Sequence, residues 1–242
     1  MAGLTTRGGP GFTSTAVAVV AFGVAFGYVE AAVVVYLRAA LGLAPGAVMA
    51  QGVGSFGTFE AVEIAREVAT LAMIAAVGTL AGRTRLERLA WAAVVFGAWD
   101  IVYYLGLRLT IGWPLSFDSW DVLFLVPTRW IGPVWAPLVV SAALLGAGLA
   151  AARRLRAGSQ IAVGSVRATG ALAGGLLVIL SFLLPNQDGS GQWTAWPVFW
   201  VGMALAIVAT AGALTARPAV PSDGGVPSQH GSGHRPPAGP PD

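Results

Sequence analysis

Six stretches of this chain are almost uninterrupted runs of apolar residues: Ala16 to Tyr36, Phe59 to Leu80, Leu89 to Leu107, Val134 to Ala152, Ala168 to Leu184 and Trp196 to Leu214. Each reaches or approaches the ~20 residues that an α-helix needs to cross a hydrocarbon layer. The pattern therefore predicts an all-α, polytopic membrane helix bundle with about six transmembrane helices. The first run is longer than the ~7 to 15 apolar residues of a signal peptide, so it reads as a helix that stays.

Basic residues alternate between the connections. The second loop holds Arg83, Arg85 and Arg88, and the fourth holds Arg153, Arg154, Arg156 and Arg167, whereas the fifth, Pro185 to Thr194, has none. Short cytoplasmic loops carry the arginine excess. The expected orientation has both termini in the cytoplasm of a cell (inner) membrane, with Arg7 before the first helix and Arg217 after the last. The first, third and fifth loops then face outward.

The third loop differs from the others. Between Gly112 and Pro137 it carries Trp113, Trp120, Trp130 and Trp135, four prolines, and an apolar run, Val122 to Val126, too short to span. Tryptophan favours the headgroup level, and an interrupted backbone at that depth needs protein or water around it. The loop reads as a re-entrant or interfacial cap. Its Trp120-Asp121-Val122-Leu123-Phe124 string echoes Trp99-Asp100-Ile101-Val102-Tyr103, a match too short to make a repeat.

Composition narrows the chemistry. The chain is 56% hydrophobic and 10% charged, which suits lipid and leaves too few polar groups to coat a soluble globule of this length. It has no cysteine, so disulfides, thiolate metal sites and thiol nucleophiles are excluded. Its two histidines, His230 and His234, fall in a Pro/Gly/Ser-rich segment, 217–242, which reads as a disordered cytoplasmic tail after a helical domain of residues 1–216. The net charge of +3 comes from scattered arginines without a basic run, so nucleic acid is not an expected partner.

Against this background the acids stand out. Glu30, Glu67 and Asp100 lie inside the first three apolar runs, where a carboxylate costs several kcal/mol unless it is paired, protonated or open to a polar cavity. Glu30 and Asp100 each precede an arginine, Arg38 and Arg108, by eight residues. At about 1.5 Å per residue each acid sits ~12 Å below an arginine expected to snorkel outward, and Glu67 is about as deep from Phe59.

Direction agrees with depth. Glu30 shares a helix face with Gly23 and Gly27, a spacing that lets a neighbouring helix approach closely. Glu60, Glu63, Glu67 and Thr70 form a polar stripe with Arg66 on its flank, and Gly97, Asp100, Tyr104 and Arg108 form another. Such stripes avoid lipid. The expected binding residues are Glu30, Glu63, Glu67, Asp100, Arg66, Tyr104 and Arg108, under a loop that contributes Trp120, Asp121 and Trp130.

The strings GYVEAAVVVYLR (27–38), WDIVYYLGLRLTIGWP (99–114) and WDVLFLVPTRWIGPVWAP (120–137), with the Arg66-Glu67 pair, resemble a group of bacterial multi-pass membrane proteins that has no assigned activity. The resemblance spans roughly the first four helices. It implies a family with a polar site in the outer half and transfers no catalytic residue.

Three functions compete on the sequence. The first is binding or movement of a proton, cation or small cationic ligand at the carboxylate cluster. The second is an enzyme acting on a lipid or lipid-linked substrate, with a divalent cation as cofactor held by the oxygen ligands Glu30, Glu67 and Asp100. The third is a non-catalytic assembly partner, in which the tryptophan loop docks another membrane protein or a second copy and the acids merely join helices. Membrane lipids are partners in each.

Overall fold

The computed structural model describes residues 11–43, 59–184 and 195–216. Among the described residues six helices follow one another: α1 Phe12–Ala40, α2 Glu60–Ala81, α3 Arg85–Ile111, α4 Trp135–Arg156, α5 Ser165–Leu183 and α6 Trp196–Thr215, with strands β1 Trp120–Phe124 and β2 Trp130–Pro133 between α3 and α4. All six helices are long and apolar enough to cross a membrane, as expected of a multi-pass membrane protein. The fifth loop, Pro185 to Thr194, and the tail with His230 and His234 lie outside the described residues.

The helices alternate in direction, so the bundle has a hairpin end, where β1 and β2 lie, and an arginine end, where α2 meets α3 and α4 meets α5. Helix α3 is central and packs against α1, α2 and α4. It begins at Thr84, whose hydroxyl accepts from the Glu87 amide at 3.2 Å, and stops at Gly112, whose φ of 70° returns its N–H to the Arg108 carbonyl. That left-handed turn is cheap for glycine.

Small residues set the helix spacings. The anticipated α1 face is used: a Cβ on Gly23 would lie 2.8 Å from the Ala98 Cβ of α3, and Gly27 rests on the Trp99 carbonyl. Across α3, a Cβ on Gly97 would meet the Leu145 Cβ of α4 at 2.8 Å. Such contacts let backbones pack closely where lipid supplies no hydrophobic drive. Trp91, Val94, Val95 and Leu107 of α3 are fully buried.

Helices α5 and α6 form a separate pair, joined through Gly174 and Gly202. The pair meets the rest mainly through α6 on α4 and α5 on β2. Phe182 and Phe199 are buried there beside Trp120, Trp130 and Trp135.

The tryptophan loop contains an antiparallel hairpin, with Trp120 opposite Pro133, Asp121 opposite Gly132 and Val122 opposite Ile131. The sequence suggested an interrupted apolar cap and no strands. Strand pairing satisfies backbone groups that a capping segment would otherwise bury unpaired. The echo between the two Trp-Asp strings is not structural, since one is helix and the other strand.

Candidate functional site

Helix α2 lies largely exposed along the bundle, and its buried residues are Glu63, Glu67, Thr70, Ile74 and Gly78. The predicted polar stripe is therefore the face it turns inward. Glu30 of α1 meets that stripe: it is ion-paired with Arg66 and accepts the Thr70 hydroxyl at 3.0 Å. Arg66 also donates to Glu63 from Nε at 3.1 Å and Nη2 at 2.8 Å. One half-buried guanidinium thus serves two carboxylates.

Glu67 has a different role. Its two oxygens accept the Leu125 backbone N–H at 2.8 and 3.0 Å, which latches the hairpin to α2. The amide lies just past β1, beyond the ladder.

Asp121 is buried under the hairpin and accepts the Tyr104 hydroxyl at 3.2 Å. Burial pushes its carboxyl up to about 7, against the pull of the Val122 backbone N–H, the Tyr104 hydroxyl and the Arg38 charge, with Asp100 adding to the rise. Arg38 is a correction to the sequence reading, which had it snorkelling outward. It is 3% exposed, and its guanidinium lies 5.0 Å from the Trp113 ring centre. An indole face and a nearby carboxylate offer a guanidinium an alternative to water.

Arg108, unlike Arg38, is exposed at the end of α3, as the snorkelling reading expected, and donates to the Gly112 carbonyl at 2.6 Å and the Pro114 carbonyl at 3.0 Å instead of joining the buried acids. The orphan carbonyls of a helix C-terminus draw such a donor. Gly97, Asp100 and Tyr104 of its stripe do turn inward.

Asp100 is 5% exposed, and among the described residues its single hydrogen-bond donor is the Ser141 hydroxyl, at 2.7 Å. No arginine touches it among those residues. With Tyr104 it lines a cavity of about 810 Å³ between α3, α4, the hairpin and the α5/α6 pair, walled elsewhere by apolar side chains such as Phe124, Val140, Val178 and Met203. Trp130 is also in this wall. Trp120 packs beside it, in the cluster around Phe182 and Phe199.

The predicted site is thus gathered at one end but subdivided. Glu30, Glu63 and Arg66 form one ion-paired group, Glu67 holds the hairpin, Tyr104 joins Asp121, and Asp100 faces the cavity. Glu30, Glu67 and Asp100 do not converge on one point, and the described residues contain no group of three or more such ligands able to hold a metal ion. Each carboxylate has been drawn to a donor on a different neighbour.

Sequence reasoning missed Ser141, although it is the sole polar side chain in α4 between Trp135 and Arg153. It also missed Glu87 and Arg156 at the arginine end. Arg156 donates to Glu87 at 2.6 Å, to the Thr15 hydroxyl at 2.7 Å and to the Ala81 carbonyl at 2.8 Å. Thr84 and Glu87, three residues apart at the start of an apolar run, carry the signature of a helix start, and that signal places Glu87.

Comparison with family models, curated proteins and solved structures gives no match for this chain.

Proposed function

We propose that this protein binds a cationic ligand in the membrane, with Asp100 as the receiving group. The observation that carries this reading is a buried carboxyl with one neutral donor facing a cavity of about 810 Å³. Ligand sites are mostly apolar clefts of ~300 to 1,000 Å³ with a few convergent polar groups. A proton alone requires no such space. A hard divalent cation wants about six oxygen ligands, and the Asp100, Ser141 and Tyr104 oxygens fall short of that. An organic ammonium group needs fewer partners, and the apolar wall suits the rest of it.

In this reading the hairpin is an interfacial cap that closes the outward end, and the arginine end faces the cytoplasm of the cell membrane because Arg83, Arg85, Arg88, Arg153, Arg154 and Arg167 collect there. The ion pairs around Arg66 hold α1 against α2, and the Glu67 latch holds the cap. A reporter active only outside the cytoplasm, fused after Leu214, tests the orientation and is expected to be inactive.

The binding test uses hexylammonium and its neutral counterpart hexanol, titrated against protein in mild detergent. Hexylammonium should bind wild type and lose about tenfold or more in Asp100→Asn, the scale of one charge-assisted hydrogen bond. Hexanol should not distinguish the two proteins. Equal hexylammonium affinity in both would overturn the proposal.

A further inference from the structure

The cavity beside Asp100 is a groove with a direction. On α4 its wall is formed by Pro137, Val140, Leu144 and Ala147, on α6 by Met203, Ile207, Thr210 and Leu214, and on α5 by Ala171, Gly175, Val178 and Phe182. Steps of three and four keep each set on one helical face, so the three walls run parallel to the helix axes. The spans from Ala171 to Phe182 and from Met203 to Leu214, eleven helical steps each, are ~16 Å long. That is close to half of the ~30 Å hydrocarbon core, the depth of one leaflet. The polar group is near the hairpin end: Ser141, which holds Asp100, lies one residue beyond Val140, and the groove continues past Ala147 to Leu214, next to the last residue of α6.

Two adjacent glycines separate packing from space. A Cβ on Gly174 would meet the Ala206 nitrogen at 2.5 Å and the Gly202 carbonyl oxygen at 2.7 Å, so this glycine is required for α5 to lie on α6. A Cβ on Gly175 would meet nothing within 4 Å. No neighbouring helix demands the missing side chain at Gly175, and its absence widens the groove. Ala143, Ala147, Ala171 and Ala211 line the same space with equally little bulk.

Resting on the proposal that Asp100 receives a cationic group, we infer that the ligand is a lipophilic amine with one unbranched apolar chain, its ammonium at Asp100 and Ser141 and its chain lying along the groove toward the arginine end. Charge complementarity fixes the head, because Asp100 is the one charged side chain among the described residues lining the groove and would repel the phosphate of an anionic lipid. The leaflet-length wall of small residues fixes the tail. Each methylene that leaves water for such a wall adds to the affinity, so chain length is the sensitive variable.

The test compares hexylammonium, dodecylammonium and dodecanol on wild type, Asp100→Asn and Gly175→Leu, by native mass spectrometry of protein released from detergent micelles. Dodecylammonium should bind wild type at least about tenfold tighter than hexylammonium. Gly175→Leu should reduce that gain with the melting temperature unchanged, and Ala147→Phe, a second obstruction on the α4 wall, should do the same. Asp100→Asn should weaken both ammonium probes. The inference is overturned if affinity is independent of chain length, if neither obstruction affects the long probe, or if dodecanol binds as tightly as dodecylammonium. Hexylammonium binding that ignores Asp100→Asn would instead sink the underlying reading of Asp100, so the two failures are distinct.

Discussion

The two ends of the bundle handle buried charge in opposite ways. At the arginine end one acid meets one base: Glu87 accepts from Arg156, from the Trp91 indole at 3.1 Å and from the Arg83 amide at 2.9 Å, while Arg156 reaches α1, α2 and α3 together. The side chains of this pair are 7% and 3% exposed, and the carboxylate is surrounded by donors. At the hairpin end five carboxylates are buried, Glu30, Glu63, Glu67, Asp100 and Asp121: Arg66 pairs with Glu30 and Glu63, the Arg38 charge acts on Asp121, and Asp100 has the Ser141 hydroxyl. A closed network ties helices together. An open one, with Asp100 exposed to a cavity, keeps acceptor capacity for something else.

The largest effect is expected where the network is closed. Arg156→Met leaves Glu87 buried without its cation and should cost about 3 to 5 kcal/mol, measured by unfolding in detergent. A loss below 1 kcal/mol, of the order seen for exposed pairs, would show that the arginine end is not the staple described. The hairpin latch comes next. Glu67→Ala removes a charged acceptor from the Leu125 amide, an interaction worth about 1.5 to 3 kcal/mol, and should raise hydrogen exchange at Leu125 and along β1 while α1 stays protected.

A smaller, local effect is tied to Asp121. Its folded-state carboxyl titrates near 7 against 3.8 for the unperturbed group. An acid raised on folding contributes stability that is fully present below its unfolded value and is lost as pH rises through its folded value. Hairpin protection from exchange should therefore fall as pH rises from about 4 to about 7 and level off beyond. Asp121→Asn should flatten that dependence. Unchanged pH dependence in the variant would assign the titration elsewhere. The smallest effect belongs to Arg108, which caps α3 in solvent: Arg108→Ala should cost at most about 1 kcal/mol and leave ammonium binding untouched.

How much of this was legible follows from which forces are local. Apolar run length and the stripe spacing on α2 are properties of single helices, and both the six helices and the inward face Glu63, Glu67 and Thr70 match. The Gly23 and Gly27 face was also readable, because close approach needs only missing side chains. The partners were not. Glu30 choosing Arg66, Glu67 choosing a backbone amide and Arg38 turning inward under Trp113 depend on segments brought together by the fold. The pairing of Glu87 with Arg156 was hidden for the same reason: the two are 69 residues apart, and Arg156 read as an ordinary residue of a basic loop. The groove has no sequence signature, since its walls come from five helices and the hairpin.

The most direct test pairs two readouts on one variant. Asp100→Asn keeps the shape of the side chain and a partner for Ser141, so the melting temperature should be unchanged or higher while hexylammonium affinity falls about tenfold or more. If instead the protein loses stability on the scale of Arg156→Met and binds the ammonium as well as wild type does, Asp100 belongs to a structural network like that of Glu87, and the contrast between the two ends is wrong.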